Sequence, residues 1–499
     1  MKIKLIFATM LTLIACTSVH QTEMPESEQT NQVLQPKDLN VAQTQAPEAA
    51  TTSTKSPMSD EKSYEMKKLD NGLTVFAIHK EGVPMVTVLI AVKNGAFVET
   101  PDINGLAHLY EHMFFKANDA VPSQQAFLKA LGHLGVELGP NMNAYTSTES
   151  VRYFFTIQSR YLKDGVQFMA NAVRTPKFLP DELERERKVV IGEFDRYESS
   201  PVSVFYQKDI LQRLFTKYYY RKSVIGDRNV ILSATPEQMH GIQHRFYIPN
   251  NAAIFVVGNF NDADLWDAIN TSFKDWAKGP DPFVTNPIPE HPPLKETKTL
   301  TKEAPAHTVQ TVNIVQSYQG PSLTIDNKGT IVFDLLGVML GMESSPFQKE
   351  LVQSGLAFSA DFGSESQRYT SPLFFSLETT PDKAQKAYDT MKALIDQMAK
   401  GNFFTQKDLD MAKTSTEVHY AYRLESGQNY ALDLAGIWTN TGNLDYYNNY
   451  IPQMKQISLQ DIDQTLKTYI QNAHYVAGAL TPSGIPPLNF GNLNGSQTE

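Results

Sequence analysis

The sequence predicts an α+β fold built from two related halves, and three features of the 499-residue chain carry that expectation. Short β-rich runs alternate with segments of helical length and patterning. Six prolines fall within residues 279–296, a stretch that can continue neither a helix nor a central strand and so joins two domains. Phe178-Leu179-Pro180-Asp181-Glu182-Leu183 is echoed by Phe404-Thr405-Gln406-Lys407-Asp408-Leu409, each opening a helix candidate. Continuing that register sets Glu186 and Glu193 against Ala412 and His419. The second half thus keeps a framework without the acids, although a shared helix-start pattern is the plainer explanation of the echo.

The elements follow in order. A basic start, an apolar run and a small residue before the cut read as a secretory signal over residues 1–15. The run is too short to span a bilayer comfortably. Leu13-Ile14-Ala15-Cys16 resembles a bacterial lipobox, which implies cleavage before Cys16 and lipid attachment to it. Thr17 after that cysteine favours anchoring to the outer membrane, facing the periplasm; the alternative is a plain signal peptide with an incidental cysteine. Residues 16–60 are rich in Gln, Thr, Ser, Glu, Pro and Ala and bury too little apolar surface to offset their ordering entropy, so they form a tether.

The first domain is expected over residues 61–280. Asp70-Asn71-Gly72 marks a turn before strands at 73–78 and 86–92. Gly95 and the 101–105 stretch break the chain before a helix that starts near residue 106. Further helices are expected at 124–134, 162–173 and 181–198, with strands at 151–157 and 252–257. The linker is placed at 281–296. A second domain over 297–490 resumes the pattern, with strands at 309–315 and 373–378 and helices at 330–340 and 383–399.

Hydrophobic residues make up 41% and charged residues 20%, as in ordinary globular proteins. With 44 basic and 54 acidic side chains the net charge is −10, and no block of Lys and Arg offers a phosphate-binding surface. These features give no sign of a nucleic-acid partner. Cys16 is the one cysteine, which rules out an intrachain disulfide and any Cys-based metal site.

His108-Leu109-Tyr110-Glu111-His112 is the informative stretch. On a helix, positions 108 and 112 lie about 40° apart and one turn along the axis, so their imidazoles converge on one tetrahedral ion. Glu111 faces the same space, where it can accept a proton from water beside the ion. Two imidazoles leave such an ion short of ligands. Glu193 sits among Val189, Val190, Ile191 and Phe194, and a carboxylate in that run needs a partner, which makes it the candidate third ligand. Glu186, two turns earlier on the same face, would orient a ligand or complete an outer shell; the alternative is a solvated charge. His240 and His244 are also four apart, but no Glu stands between them and they read as surface or packing residues.

Gly105-Leu106-Ala107-His108-Leu109-Tyr110-Glu111-His112-Met113-Phe114-Phe115-Lys116 resembles the signature of the pitrilysin/insulinase superfamily of zinc metallopeptidases, the inverzincins. Asn143-Ala144-Tyr145-Thr146, Arg185-Glu186-Arg187, Ile191-Gly192-Glu193 and Tyr247-Ile248-Pro249-Asn250-Asn251 fit the same family, and the resemblance runs from about Tyr64 to Ala479. It is similar in particular to half-length bacterial members related to the mitochondrial processing peptidase. The resemblance implies two homologous domains, each a mostly antiparallel sheet packed with helices. It implies one zinc ion per chain on His108, His112 and Glu193, with Glu111 as general base and Glu186 as an accessory catalytic carboxylate. It implies that a peptide substrate adds as a strand beside Asn143 and Ala144, which suits unfolded or short polypeptides.

One departure is informative. Active members supply an Arg and a Tyr, seven apart, to steady the developing oxyanion. The matching positions here are Leu351, or Val352 in a shifted alignment, and Phe358. The chain therefore resembles the zinc-bearing subunit of a heterodimer whose homologous partner brings the Arg/Tyr pair. The alternative is a non-catalytic peptide-binding or structural subunit on the same fold.

Overall fold

In the computed structural model, which describes residues 64–217, 223–285, 287–288 and 291–491, the β-rich runs assemble into two sheets. The signal segment, Cys16 and the tether to residue 60 lie outside the described residues. The first sheet contains β1 (Glu65–Lys68), β2 (Thr74–His79), β3 (Met85–Val92), β4 (Met142–Thr146), β5 (Val151–Gln158) and β6 (Ala252–Gly258), in the order β1-β2-β6-β3-β5-β4. The second contains β7 (Lys298–Ala304), β8 (Val312–Gln319), β9 (Ser359–Ser364), β10 (Pro372–Thr379) and β11 (Tyr475–Pro482), in the order β7-β11-β8-β10-β9. Only β2–β6 and β7–β11 pair in parallel; the other pairs are antiparallel. Without β1, the two strand orders superpose one for one. The expected α+β architecture of two like domains, each with a mostly antiparallel sheet, is therefore the one found.

Two expectations needed adjustment. β8 starts at Val312 rather than at 309, because the carbonyl of Pro305 accepts from the amides of Thr308 and Val309 and so closes a turn first. β11 was not anticipated, although every one of its residues is buried. Its centre is Ala477-Gly478-Ala479, which lacks the β-branched signature of a strand. The small residues have a packing cause: a Cβ on Gly478 would lie 2.8 Å from Ile210 and 2.9 Å from Phe205.

Each sheet is covered on both faces, and each half lends a helix to the other. The first sheet packs one face on α1 (Leu106–Met113), α2 (Gln124–His133), α3 (Leu162–Arg174) and α4 (Pro180–Glu198), with Ile90, Tyr153 and Val256 meeting Leu109, Met113 and Val166. Its other face, including Phe76, Leu89, Phe154 and Phe255, packs on Tyr430, Leu434 and Trp438 of the helix Gly427–Thr441. The second sheet is covered on one side by the helices Asn327–Gly341 and Ala384–Lys400. On the other side Val315, Val476 and Leu480 meet Phe205, Ile210, Leu211 and Leu214 from the first half. Each such fully buried side chain contributes about 1.5–3 kcal/mol. No single helix among the described residues is long and apolar enough to cross a membrane.

Candidate metal centre

The position of α1 is set at its first turn. Gly105 opens it at φ +99°, and Gly226 crosses it at φ +85°. A Cβ on Gly105 would come within 2.9 Å of the Gly226 backbone, and one on Gly226 within 2.2 Å of Gly105. Buried Glu99 accepts from the amides of Gly105 (2.9 Å) and Ala107 (2.7 Å) and from Asn104 Nδ2 (2.9 Å). Those amides are among the donors a helix start leaves without an internal partner. Burial nevertheless pushes the Glu99 carboxyl up to about 7. Leu106, Leu109, Tyr110 and Met113 fill the core, and Tyr110 stacks on Tyr247 with ring centres 3.8 Å apart. With that side anchored, His108 and His112 turn towards α4.

α4 is strongly charged, yet Glu182, Glu186 and Glu193 are buried while Glu184, Arg185 and Lys188 are exposed. The three buried acids grip α1 and the turn after it. Glu182 accepts from the amides of Ala117 (3.0 Å) and Gln124 (2.9 Å). Glu186 binds His112 Nδ1 through Oε2 (3.2 Å) and Lys116 through Oε1. Glu193 Oε2 stands 3.5 Å from His108 Nε2 and 3.6 Å from His112 Nε2. Ligand atoms of His108, His112 and Glu193 all lie within 4.8 Å of one another.

Two imidazole nitrogens and one carboxylate are a donor set that can hold a divalent metal ion. The electrostatics fit that use. Burial, then the neighbouring His112, lowers His108 to about 3 against the pull of Glu193, so its Nε2 lone pair stays available. Its Nδ1 is buried with no hydrogen-bond partner among the described residues. At Glu186 burial is the largest influence and acts upward. Bonds from His112 and Lys116 overcome it and hold the carboxyl below its usual range. An ionised Glu186 accepts the Nδ1 proton of His112 and leaves Nε2 to face Glu193.

Glu111 stands beside the cluster and accepts from the Thr146 hydroxyl at the end of β4. Burial pushes its carboxyl up, with His112 and Thr146 acting against it. The cluster opens into a cleft of about 540 Å³ lined by Glu111, His112, Met142, Asn143, Val189 and Arg196, among others. β4 is the edge strand of its sheet, paired with β5 along its length and bridged on its outer side only at Met142, by Leu138. Asn143 is half-buried on it and Ala144 is buried.

Residues 74–228 match the model of the insulinase peptidases, family M16, and residues 233–416 match that of the M16 inactive domain. The chain belongs to the insulinase (M16) peptidase family. This M16 chain is 24% identical over 429 residues to zinc protease PqqE of Helicobacter pylori, covering 84% of this chain and 93% of the relative. It is 22% identical over 424 residues to the zinc protease YmxG of Bacillus subtilis, covering 84% and 98%. A crystal structure of a Helicobacter pylori protease matches with a TM-score of 0.76 at 23% identity, over 84% of this chain and 99% of that one. The first half of the periplasmic protease PqqL from Escherichia coli matches at 0.69 and 19% identity, over 84% and 92%. At these identities the structural likenesses speak for the fold alone.

Of the residues singled out in the sequence, the M16 fold brings His108, His112 and Glu193 together and sets Glu111 and Glu186 against them. Asn143 and Ala144 lie on the edge strand, and Cys16 is outside the described residues. His240 and His244 belong to another place: His240 packs edge-on to Phe178 and pairs with Gln243. Among the described residues the His108–His112–Glu193 group is the one cluster able to hold a metal. Sequence reading passed over Glu99, Lys116, Glu182 and the role of Thr146. Glu182 was legible, four residues before Glu186 on the same helix face. Glu99 was not, since its partners are backbone amides fixed by the fold.

Proposed function

We propose that this chain is a zinc-dependent endopeptidase of the bacterial cell envelope that cleaves unfolded or short polypeptides as the zinc-bearing subunit of a heterodimer. The observation that carries the reading is the convergence of His108, His112 and Glu193 with Glu111 at their side. The relatives' names, zinc proteases, support zinc as the ion, and the one ligand cluster among the described residues supports a single ion per chain. When bound, zinc polarises the scissile carbonyl and makes water more acidic. Glu111 accepts a proton from the attacking water and hands it to the leaving amine, a pair of tasks that suits a carboxyl raised by burial. Thr146 orients Glu111, while Glu186, itself held by Lys116, fixes the tautomer and direction of His112. The substrate lies along the β4 edge at Asn143 and Ala144, held by main-chain hydrogen bonds.

Leu351 is buried in the second core, and Phe358 is 61% exposed but has no hydrogen to donate to an oxyanion. This supports a homologous partner that supplies the Arg and Tyr. The signal over 1–15, a lipid on Cys16 and the tether over 16–60 put the peptidase domain (61–280) and the ligand-free domain (297–490) on the outer membrane, facing the periplasm. PqqL of Escherichia coli is a periplasmic protease. A non-catalytic peptide-binding role is disfavoured by Glu111, which a metal site alone does not need.

A quenched peptide tests this reading. Cleavage should stop on chelation, return with zinc, and rise when a half-length homologue bearing the Arg/Tyr pair is added. Cleavage indifferent to chelator and to Glu111→Gln contradicts the peptidase, and full turnover by the chain alone contradicts the heterodimer.

A further inference from the structure

The face of α4 that looks into the cleft presents Val189, Gly192 and Arg196. Their spacing of three and four residues puts them in one stripe. A Cβ on Gly192 would meet no atom within 4 Å, so the glycine leaves an open lane beside Glu193. At the end of that lane the Arg196 side chain is 60% exposed. Its one ion-pair contact among the described residues is Glu193 Oε1, at 4.0 Å, and the other oxygen of Glu193 faces the two imidazoles. The second cation of the cleft, Lys116, is differently placed: it is buried and bound to Glu186. Arg196 is thus the cleft cation left open to substrate.

We infer that Arg196 selects peptides with an acidic side chain one or two residues from the cleaved bond. This rests on the peptidase reading above and names its substrate class. An extended peptide advances about 3.3 Å per residue. A carboxylate on the guanidinium, 4.0 Å from Glu193, therefore lies within one or two residues of a bond held over the cluster. The guanidinium fork matches a carboxylate in two-point geometry. The net charge of −10 repels acidic peptides at long range, but salt screens that repulsion beyond about 8–10 Å and leaves the local pair to discriminate.

The test is a titration of the Glu111→Gln chain with fluorescein-labelled ten-residue peptides of Ala, Ser and Thr. Each carries Glu, Gln or Lys at one central position, and binding is read by anisotropy at about 0.15 M salt. At one or two positions Glu should bind about three- to tenfold tighter than Gln. Arg196→Gln on that background should erase the preference, and Arg196→Glu should turn it towards Lys. Equal binding of Glu and Gln at every position, or a preference that survives Arg196→Glu, overturns the proposal. Cleavage by the unaltered chain, with the Arg/Tyr-bearing homologue added, is followed separately. If binding tracks residue 196 while no peptide is cut, the peptidase reading fails and the selectivity of Arg196 stands.

Discussion

Helix α4 and the helix Gln406–Glu425 occupy the same place in their halves. Each follows a buried phenylalanine, Phe178 or Phe404, and each then buries a leucine, Leu183 or Leu409. They part at the two positions that matter. Glu186 and Glu193 are buried and engaged, whereas Ala412 is fully buried and His419 is exposed. The reason lies in the helix opposite. α1 and the turn after it offer His108, His112 and Lys116, while Asn327–Gly341 turns Ile331, Leu335 and Met339 into the core. A buried carboxylate is tolerated only where a partner meets it, so the shared frame needs apolar contacts and the metal site needs both helices to change together.

Glu111→Gln should lower turnover about 10²- to 10⁴-fold while zinc content stays unchanged. Loss of zinc instead would make Glu111 a structural residue. Next comes Ala412→Glu, which copies the acid without its partners. It should cost about 3–5 kcal/mol in a chemical unfolding curve, and a neutral result would show that the second half can shelter a charge after all.

Smaller effects sharpen the first half. Glu186→Gln and Lys116→Met should each weaken zinc binding about 10- to 100-fold in chelator competition, with Lys116→Arg recovering much of it. In the metal-free protein, His108 stays neutral when folded, since its folded value is about 3 against 6.5 in the open chain. The unfolded chain takes up a proton that the folded one refuses. Stability is therefore lost as pH falls from 6.5 towards 3, by roughly 1 kcal/mol per pH unit, and His108→Gln should flatten that slope. The smallest effect belongs to the echo itself: His419→Ala should change stability by no more than about 0.5 kcal/mol.

Much of this was legible in the sequence because periodicity and burial agree there. The His108–His112 spacing and the apolar run around Glu193 each point one way. The repeat was visible only faintly, through Phe404 and Leu409, because core residues are exchangeable among apolar types. What stayed hidden depends on contacts distant in the chain. β11 reads as weak strand because its small residues accommodate Phe205 and Ile210. Gly226 matters through the backbone of Gly105, and Glu99 through amides at a helix start. None of these leaves a local pattern.

The claim most open to contradiction is that Glu193 completes a site made by two imidazoles from another helix. Metal analysis of the purified chain and of Glu193→Ala, both checked for fold by circular dichroism, addresses it directly. One zinc per chain in the first and none in a folded second is the expected result. A folded Glu193→Ala chain that keeps its full complement of zinc would show that the ion is held elsewhere.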